Sequence, residues 1–392
     1  MINPAVTLSS PAHPAMAEMV SALKRDVTYH IVGARVREGS GISGVTNPAV
    51  RSAYQVVVRM RRYAPGAIAY QRVRSELLLR SAPRDRLVHC CSHLAYGGSP
   101  WIGDYENANV LAFYSPRLLH SRLFVGHLRR MFGHPSCRAI RVWSASAERS
   151  FHALFPDPDI RGKVRVIHPA IAFPLEAREP RKGEILPRVL FVAKGFWIKG
   201  GSLFLEAISK LRHELEFSVD FVCDLPPECE HYRIALEGVV NFYEPNFTRP
   251  ELYARFYSNA DIFVMLGMAD SYGVALLEAS AFGLPILAMR LDSGLSDLLR
   301  LTGNGIQVEP AYQIFDSSGL HCVEPDELLC RIRGDAQRQV VERIADALGS
   351  LISDRGKREQ LGGRGRAAVL DGPLSIATMR HAMLEFYRNA MD

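Results

Sequence analysis

Two short stretches in the second half of the chain combine charged side chains with glycines that follow apolar residues. FVAKGFWIKGG holds Lys194 and Lys199, and ADSYGVALLEASAFGLP holds Asp270 and Glu278. Lysines beside glycines suit a phosphate, because the glycines let backbone N–H groups approach it closely. A glutamate on an apolar helix needs a fixed polar partner, for which adjacent ribose hydroxyls would serve. Together the two stretches predict a site for a diphosphate that carries a ribose.

Each stretch joins a predicted strand to a predicted helix. RVLFVAK predicts a strand before the lysine loop, and LFLEAISKL predicts a helix after it with Ser202 as the N-cap. VALLEASA predicts a second helix that begins directly after Gly273. Ligands of such units bind beyond the carboxyl ends of the strands, against helix N-termini that attract anions. Two other interpretations stay open, namely a solvated loop with surface lysines and a buried Glu278 that caps a neighbouring backbone.

Both halves of the chain alternate short β-branched runs with longer amphipathic segments, the pattern of a parallel sheet covered by helices. A chain of 392 residues exceeds what one hydrophobic core normally supports. We therefore predict two doubly wound, Rossmann-like α/β domains that face a cleft, at residues 1–178 and 186–365, with a linker at 172–187 and a C-terminal helix at 373–392. The predicted strands are YHIVGARV, AIAYQRV, RLVHCCS, PWIGDY, AIRVWSAS and KVRVIHPA in the first half, and RVLFVAK, FSVDFVC, GVVNFYEP, ADIFVML, LPILAM and GIQVE in the second.

Charge is distributed unevenly along the chain. Residues 1–180 contain 24 Lys and Arg against 12 Asp and Glu, and 22 of these cations are arginine, whose planar side chain suits phosphate. The segment SPRLLHSRLFVGHLRRMF (115–132) predicts a helix that could lie on an anionic membrane surface, with a core-packed helix whose arginines face water as the alternative. Aromatic residues are not interleaved with the cations, which argues against nucleic acid as a partner.

Composition excludes several other classes of protein. No window approaches the roughly 18 apolar residues of a membrane span and the N-terminus has no secretory pattern, so we expect a cytoplasmic protein with at most a peripheral contact to the inner membrane face. Seven scattered cysteines indicate reduced thiols rather than disulfides. No metal is predicted, because strand alternation separates the HCCSH residues at 89–93 and the DPD stretch at 157–159 is typical of a proline turn.

The second half resembles the nucleotide-sugar-binding domain of retaining GT-B glycosyltransferases of glycosyltransferase family 4, also called group 1. Members of that family carry an Arg after a strand, then Lys-Gly at the start of a helix, and later two Glu separated by seven residues. Lys194 stands at the Arg position, Lys199-Gly200 at the Lys-Gly, and Asp270 in place of the first Glu. NFYEPNFTRPELYARFYSNADIFVML resembles the base-binding loop and helix of the family, and RGRAAVLDGPLSIATMRHAMLEFYRNAMD resembles its C-terminal helix, which crosses back to the first domain.

The resemblance implies a retaining hexosyltransferase that moves a sugar from a nucleotide-diphosphate sugar to an acceptor hydroxyl. It implies no metal or other cofactor, a glycan or lipid-linked acceptor, and a place in cell-surface polysaccharide or glycolipid assembly. Lys199 and Asp270 would take part in catalysis. The implied donor-binding residues are Lys194, Lys199, Gly200, Asp270, Ser271, Tyr272, Gly273, Val274 and Glu278.

The first half matches this family in pattern only. PWIGDYEN stands where many members have an active-site His, so the resemblance implies Glu106 as a catalytic, acceptor-side residue, with Asp104 and His13 also on the acceptor side. His168 is a further loop residue that could contact substrate. The alternative function is a non-catalytic nucleotide-sugar-binding protein of the same fold, which the replacement of Glu by Asp270 would suit.

Overall fold

The computed structural model describes residues 5–9, 14–32, 60–79, 82–83, 86–96, 98–172, 186–333 and 338–392. The chain divides into two compact units. The first unit comprises Met1–Ala172, Phe315–Glu324 and Ile376–Asp392, and the second unit comprises Phe173–Ile314 and Pro325–Ser375. Of the predicted linker, residues 173–185 lie outside the described part of the chain.

The described residues of the first unit form a parallel sheet of six strands. These are β1 Ala5–Ser9, β2 Thr28–Val32, β3 Leu87–Cys91, β4 Trp101–Tyr105, β5 Cys137–Val142 and β6 Val164–Val166. They pair in the order β2-β1-β3-β4-β5-β6, and every pairing is parallel. The strand β4 is buried along its whole length, as expected where helices cover both faces of a sheet. The strand β1 was not predicted from the sequence.

The helices described between these strands are α1 Pro14–Leu23, α2 Ala64–Leu79, α3 Pro116–Leu119, α4 Arg122–Gly133, α5 Ala145–Leu154 and α6 Pro158–Arg161. The prediction of a strand for AIAYQRV is wrong, because these residues lie in α2. Buried residues of α2 such as Ala67, Gln71 and Ser75 recur every four positions, which places them on one helical face.

The predicted helix over residues 115–132 is also wrong in one respect. Two helices, α3 and α4, cover this segment, and the side chain of Ser121 caps the second by accepting a hydrogen bond from Phe124 N. Phe124 and Leu128 are fully buried in the core of the first unit, so the core-packed alternative describes this face. Leu123 lies on the outer side of α4 and is 58% exposed.

The second unit is also built on a parallel sheet of six described strands. These are β7 Arg188–Val192, β8 Ser218–Val222, β9 Val240–Tyr243, β10 Ile262–Met265, β11 Ile286–Met289 and β12 Gly305–Val308. Their order, β12-β11-β10-β7-β8-β9, is the order of a dinucleotide-binding Rossmann sheet. All six strands were predicted from the sequence, and the prediction of two doubly wound α/β sheets is confirmed.

The helices described in the second unit are α7 Gly201–Leu211, α8 His231–Ala235, α9 Arg249–Arg255, α10 Val274–Ala281, α11 Gly294–Thr302, α12 Pro325–Ile332, α13 Arg338–Ser353 and α14 Arg355–Leu370. Helix α7 follows β7 and α10 follows β10, so both begin at the carboxyl edge of the sheet. Within the described residues, no helix is both long enough and apolar enough to span a membrane.

Two segments from the second half of the chain belong to the first unit. The last helix, α15 Ile376–Met391, is fixed there by a 2.7 Å hydrogen bond between Tyr387 Oη and His89 Nδ1. The short segment Phe315–Glu324 is held by Asn109, whose side chain donates to the carbonyl of Gly319 and accepts from the backbone of His321. Nothing in the sequence analysis predicted the placement of this short segment.

Candidate functional site

The two charged stretches meet at the centre of the second sheet. They follow β7 and β10, which are adjacent strands at the point where the strand order reverses. Ligands of doubly wound sheets bind at this point, beyond the carboxyl ends of the strands. A hydrogen bond of 3.0 Å from Met268 N to Ile198 O joins the two loops directly.

Glycines determine the shape of the lysine loop. Gly195 and Gly200 have φ angles of +87° and +76°, which side-chain-bearing residues rarely adopt. A Cβ atom at Gly200 would lie 2.6 Å from the carbonyl oxygen of Leu266, so the backbone can pass there only without a side chain. Gly200 is also the N-cap of α7. The prediction of Ser202 as N-cap is therefore wrong, because Ser202 is buried within the first turn of α7.

Lys199 and Asp270 form an ion pair between the two loops. The Lys199 Nζ contacts Asp270 Oδ1, and about a third of the lysine side chain remains exposed. Asp270 itself is buried, and its other oxygen, Oδ2, has no hydrogen-bond partner among the described residues. Gly267 makes room for this oxygen, since a Cβ there would lie 1.8 Å from it. Lys194, the second predicted phosphate ligand, is exposed in the same loop.

The turn from Asp270 to Val274 is fixed from behind by the start of α11. Ser293 Oγ donates to the carbonyl of Asp270 at 2.7 Å, and Gly294 N donates to the carbonyl of Ser271 at 2.8 Å. Gly273, with φ +87°, then caps α10 and lets Val274 begin the helix. The side chain of Tyr272 is buried, so it is not exposed to a ligand at the surface of this turn.

Glu278 lies on α10 and is bound by three side chains of the second unit. Its Oε1 accepts from Tyr253 at 2.9 Å and pairs with Arg249 Nε at 2.7 Å, and its Oε2 accepts from Tyr257 at 3.3 Å. Burial and then the Glu278 charge raise the pKa of Tyr257 well above its usual value, which keeps that hydroxyl a donor. These partners were not predicted, although residues 249, 253 and 257 recur at a spacing of four residues in the sequence.

In the first unit, Asp104 belongs to a buried network. Its carboxylate accepts from Arg141 Nη1 at 2.8 Å and Trp143 Nε1 at 2.6 Å, and lies 3.0 Å from His89 Nε2. Burial opposes its charge, but Arg141, His89 and Trp143 outweigh burial and lower the pKa of Asp104 to about 2. The structure therefore gives Asp104 a place in the core, where its side chain has no exposed surface to offer an acceptor.

Glu106 lies at the carboxyl edge of the first sheet, directly after β4. Tyr114 Oη donates to Glu106 Oε1 at 2.5 Å. Phe113 and Tyr114 both have left-handed backbone angles, and Ser92, after β3, is the third non-glycine residue in the described ranges that does. Such conformations each cost about 1–3 kcal/mol and concentrate at functional sites. This edge, defined by Ser92, Glu106, Phe113 and Tyr114, is therefore the candidate site of the first unit.

The remaining candidates are placed as follows. His13 lies outside the described residues. His168 follows β6 and is half-buried. His89 and His93 are buried and bonded within the first unit, and no group of three or more His, Cys, Asp or Glu among the described residues is placed to hold a metal ion.

Comparison with known proteins concerns mainly the second unit. Residues 186–316 match the family model described as Glycosyl transferases group 1. Probable sucrose-phosphate synthase 4 of Oryza sativa subsp. japonica is 32% identical over 88 residues, which are 22% of this chain and 8% of that protein. N,N'-diacetylbacillosaminyl-diphospho-undecaprenol alpha-1,3-N-acetylgalactosaminyltransferase of Campylobacter jejuni subsp. jejuni is 30% identical over 101 residues, or 26% of each chain. These matches thus span about a quarter or less of the curated relatives.

The fold is matched over the whole chain by a solved structure. Sucrose-phosphate synthase from Thermosynechococcus elongatus superposes with a TM-score of 0.61 at 16% identity, covering 100% of this chain and 99% of the other. At this identity the likeness establishes the fold alone. The predicted GT-B fold is confirmed.

Proposed function

We propose that this chain is a retaining hexosyltransferase that uses a nucleoside-diphosphate sugar, because residues 186–316 match the family model of the group 1 glycosyl transferases. The observation that carries the proposal is the Lys199–Asp270 pair at the switch point of the second sheet. The pair combines a partly exposed cation with a buried carboxylate oxygen that has no partner among the described residues. A sugar diphosphate supplies what both groups need, since its phosphates pair with the lysine and its sugar hydroxyls donate to the oxygen.

The diphosphate is stabilised by fixed positive charge. Lys194 and Lys199 lie in one loop, and the N-termini of α7 and α10 both lie at this edge of the sheet. As the bond between the sugar and the phosphate breaks, negative charge grows on the phosphate, and preorganised cations and backbone N–H groups stabilise it. This arrangement supports a reaction that needs no metal ion. Retention of activity in excess EDTA is the expected result.

The acceptor step uses the departing phosphate as the base. The bond from the anomeric carbon to the phosphate oxygen breaks, the acceptor oxygen attacks from the same face, and its proton passes to the phosphate. Retention of configuration follows from attack on that face. Glu106 then has only to orient the acceptor hydroxyl, and the hydrogen bond from Tyr114 holds its carboxylate in one place.

Two experiments test the function. Thermal unfolding with a panel of nucleoside diphosphates and their sugars identifies the donor, because a ligand at a hundred times its dissociation constant adds about 2.7 kcal/mol. Incubation of the identified donor with and without candidate acceptors then measures transfer and hydrolysis. Stabilisation without any turnover would favour the alternative, a non-catalytic nucleotide-sugar-binding protein, and no stabilisation by any nucleotide would contradict both.

For the acceptor, we favour a lipid-linked glycan at a membrane surface. The printed name of the Campylobacter relative contains a diphospho-undecaprenol, and the first half of this chain carries 24 Lys and Arg against 12 Asp and Glu. Leu123, exposed on α4 beside exposed Arg122, is one apolar group available for such a contact. Flotation with anionic vesicles should show binding at 0.01 M salt that weakens at 0.15 M, where the screening length falls from about 30 to 8 Å. No binding at either salt would remove the membrane contact.

A further inference from the structure

The segment Phe315–Glu324, which we call the docked segment, is shaped by its own hydrogen bonds. Asp316 Oδ1 accepts from Leu320 N at 2.9 Å, and Asp316 N donates to Leu320 O at 2.8 Å. Phe315 and His321 pair across this turn in an antiparallel bridge, and both side chains are buried. The docked segment therefore brings a fixed surface to the first unit, to which it belongs.

The middle of the docked segment binds just before the two left-handed residues Phe113 and Tyr114. The side chain of Asn109 donates to Gly319 O at 2.8 Å and accepts from His321 N at 2.7 Å. The carbonyl of Asn109 in turn accepts from Tyr114 N at 2.9 Å. Asn109 thus joins the docked segment to the backbone of Tyr114.

The end of the docked segment binds just after the same two residues. The Glu324 carboxylate accepts from Ser115 Oγ at 3.0 Å and from Arg117 N at 2.9 Å. Between these two attachments, the ring of His321 meets the ring of Tyr114 edge-on, with centroids 5.8 Å apart and planes at 76°. Left-handed backbone at residues with side chains persists only where the surrounding structure holds it. The docked segment provides such a hold at three points.

We infer that the docked segment positions the acceptor-side carboxylate, with His321 as the positioning residue: its ring holds Tyr114, and the Tyr114 hydroxyl holds Glu106. This inference rests on the proposed function, in which Glu106 orients the acceptor hydroxyl. The docked segment belongs to the first unit, whereas Lys199 and Asp270 belong to the second. Loss of the His321 ring should therefore weaken the use of the acceptor and leave the binding of the donor unchanged.

Hydrogen–deuterium exchange of the full chain tests whether His321 holds Tyr114. In His321→Ala the amides of residues 109–117 should exchange about tenfold faster, the scale of one lost aromatic contact. His321→Phe keeps a ring against Tyr114 and should restore the slow exchange. Ser318→Ala is the matched control, because the Ser318 hydroxyl bonds to Asp316 within the docked segment and its loss should leave 109–117 unchanged. Unchanged exchange in His321→Ala would overturn the inference.

Transfer kinetics test whether this hold reaches Glu106. They use the nucleotide sugar and the acceptor that give turnover in the unchanged protein. His321→Ala should lower kcat/KM for the acceptor about tenfold, the scale of one lost hydrogen bond to a charged group, while KM for the donor stays the same. Tyr114→Phe, which lacks the hydroxyl, should show the same loss. The double variant should lose no more than Tyr114→Phe alone, because both changes break the same link.

The double variant separates positioning from a general effect on folding. Losses that add in the double variant would overturn the inference, since His321 would then act independently of the Tyr114 hydroxyl. An equal loss in His321→Phe and His321→Ala would overturn it as well, because the ring contact would not be the cause. Melting curves confirm that each variant is folded, and if His321→Phe is not, the double variant decides. Absence of turnover with every nucleotide sugar in the unchanged protein would instead overturn the proposed function.

Discussion

The carboxyl edges of the two sheets use charge in opposite ways. In the second unit, Lys199 is 34% exposed and its partner Asp270 keeps one oxygen without a protein partner in the described chain. In the first unit, the side chains of Arg141 and Asp104 are 1% and 0% exposed, and both form several hydrogen bonds. The charged groups of the first unit thus satisfy one another, whereas in the second unit one carboxylate oxygen of Asp270 is left without a partner among the described residues.

Backbone conformation separates the same two edges. Glycines occupy the left-handed positions of the second unit's loops, as at Gly195, Gly200 and Gly273, which residues with a side chain rarely adopt. Non-glycine residues, Phe113 and Tyr114, occupy the left-handed positions beside Glu106, and the hydroxyl of Tyr114 donates to the carboxylate of Glu106. The loops of the second unit thus use glycine at their left-handed positions, whereas the edge beside Glu106 uses residues that carry side chains.

The largest expected effect concerns the closed network of the first unit. Asp104→Asn leaves Arg141 buried beside a neutral amide, and breaking a buried ion pair in this way costs about 3–5 kcal/mol. The melting temperature should fall sharply. Asp157→Asn is the control, because it breaks the exposed pair with Arg129, which is worth at most about 1 kcal/mol. Equal losses in both variants would mean that the Asp104 network stabilises no more than a surface pair does.

The second prediction concerns the open pair of the second unit. Lys199→Met removes a charge from the proposed diphosphate site and should lower kcat/KM about a hundredfold, the scale of one lost transition-state donor. Stability should fall as well, because the buried carboxylate of Asp270 loses its cation, so the melting curve is used to confirm that the variant is folded. Lys210→Met is the control, because Lys210 lies at the other end of α7 and pairs with Glu342 on the surface. Steady-state kinetics measure both variants. An unchanged kcat/KM in Lys199→Met would contradict the assignment of Lys199 to the donor diphosphate.

The third prediction separates crowding from backbone conformation at a glycine. Gly200 and Gly238 have nearly equal φ angles, +76° and +81°, but a Cβ meets Leu266 at the first and open space at the second. Gly238→Ala should cost about 1–2 kcal/mol from its conformation alone. Gly200→Ala should cost about 1–3 kcal/mol more, because the two loops must separate. Chemical denaturation measures both. Equal costs would show that the Leu266 contact relaxes freely.

The sequence predicted the second unit better than the first for a physical reason. Lys199, Gly200, Asp270 and Glu278 lie in two contiguous loop–helix stretches, so local spacing carries the signal. The first unit's edge depends instead on distant segments, as when Asn109 binds a segment 210 positions further along the chain. No local pattern marks such a contact.

Two errors arose within single elements. The Ile and Val of AIAYQRV suggested a strand, but this segment is helical. Its buried residues recur every four positions, and this spacing over the whole of α2 predicts the structure better than the short run does. Ser202 has a favourable N-cap side chain, yet the chain turns two residues earlier, where Gly200 can adopt φ +76°. A Cβ at Gly200 would also lie 2.6 Å from the carbonyl oxygen of Leu266, so the helix begins at a position that only glycine fits.

The smallest effect is a pH dependence centred on the first unit's interior. Burial, reinforced by Arg74, lowers the pKa of His93 from 6.5 to about 3, against the opposing hydrogen bond to the Leu94 carbonyl. The folded state therefore resists protonation at this residue, while the unfolded chain takes up a proton below pH 6.5. Between those values the unfolded state holds more protons, so stability rises with pH and falls on acidification.

One buried histidine of this kind changes the free energy of unfolding by up to about 1.4 kcal/mol per pH unit. Between pH 6.5 and 5.5 the unfolded histidine is only partly protonated at first, so we expect about 1 kcal/mol from His93 over that step. Denaturation midpoints at the two pH values measure the difference, which should shrink by that amount in His93→Gln. The glutamine keeps a polar side chain of similar reach but cannot titrate. If His93→Gln is less stable at both pH values yet shows the full pH difference of the unchanged protein, the acid sensitivity arises from other groups and His93 acts only in packing.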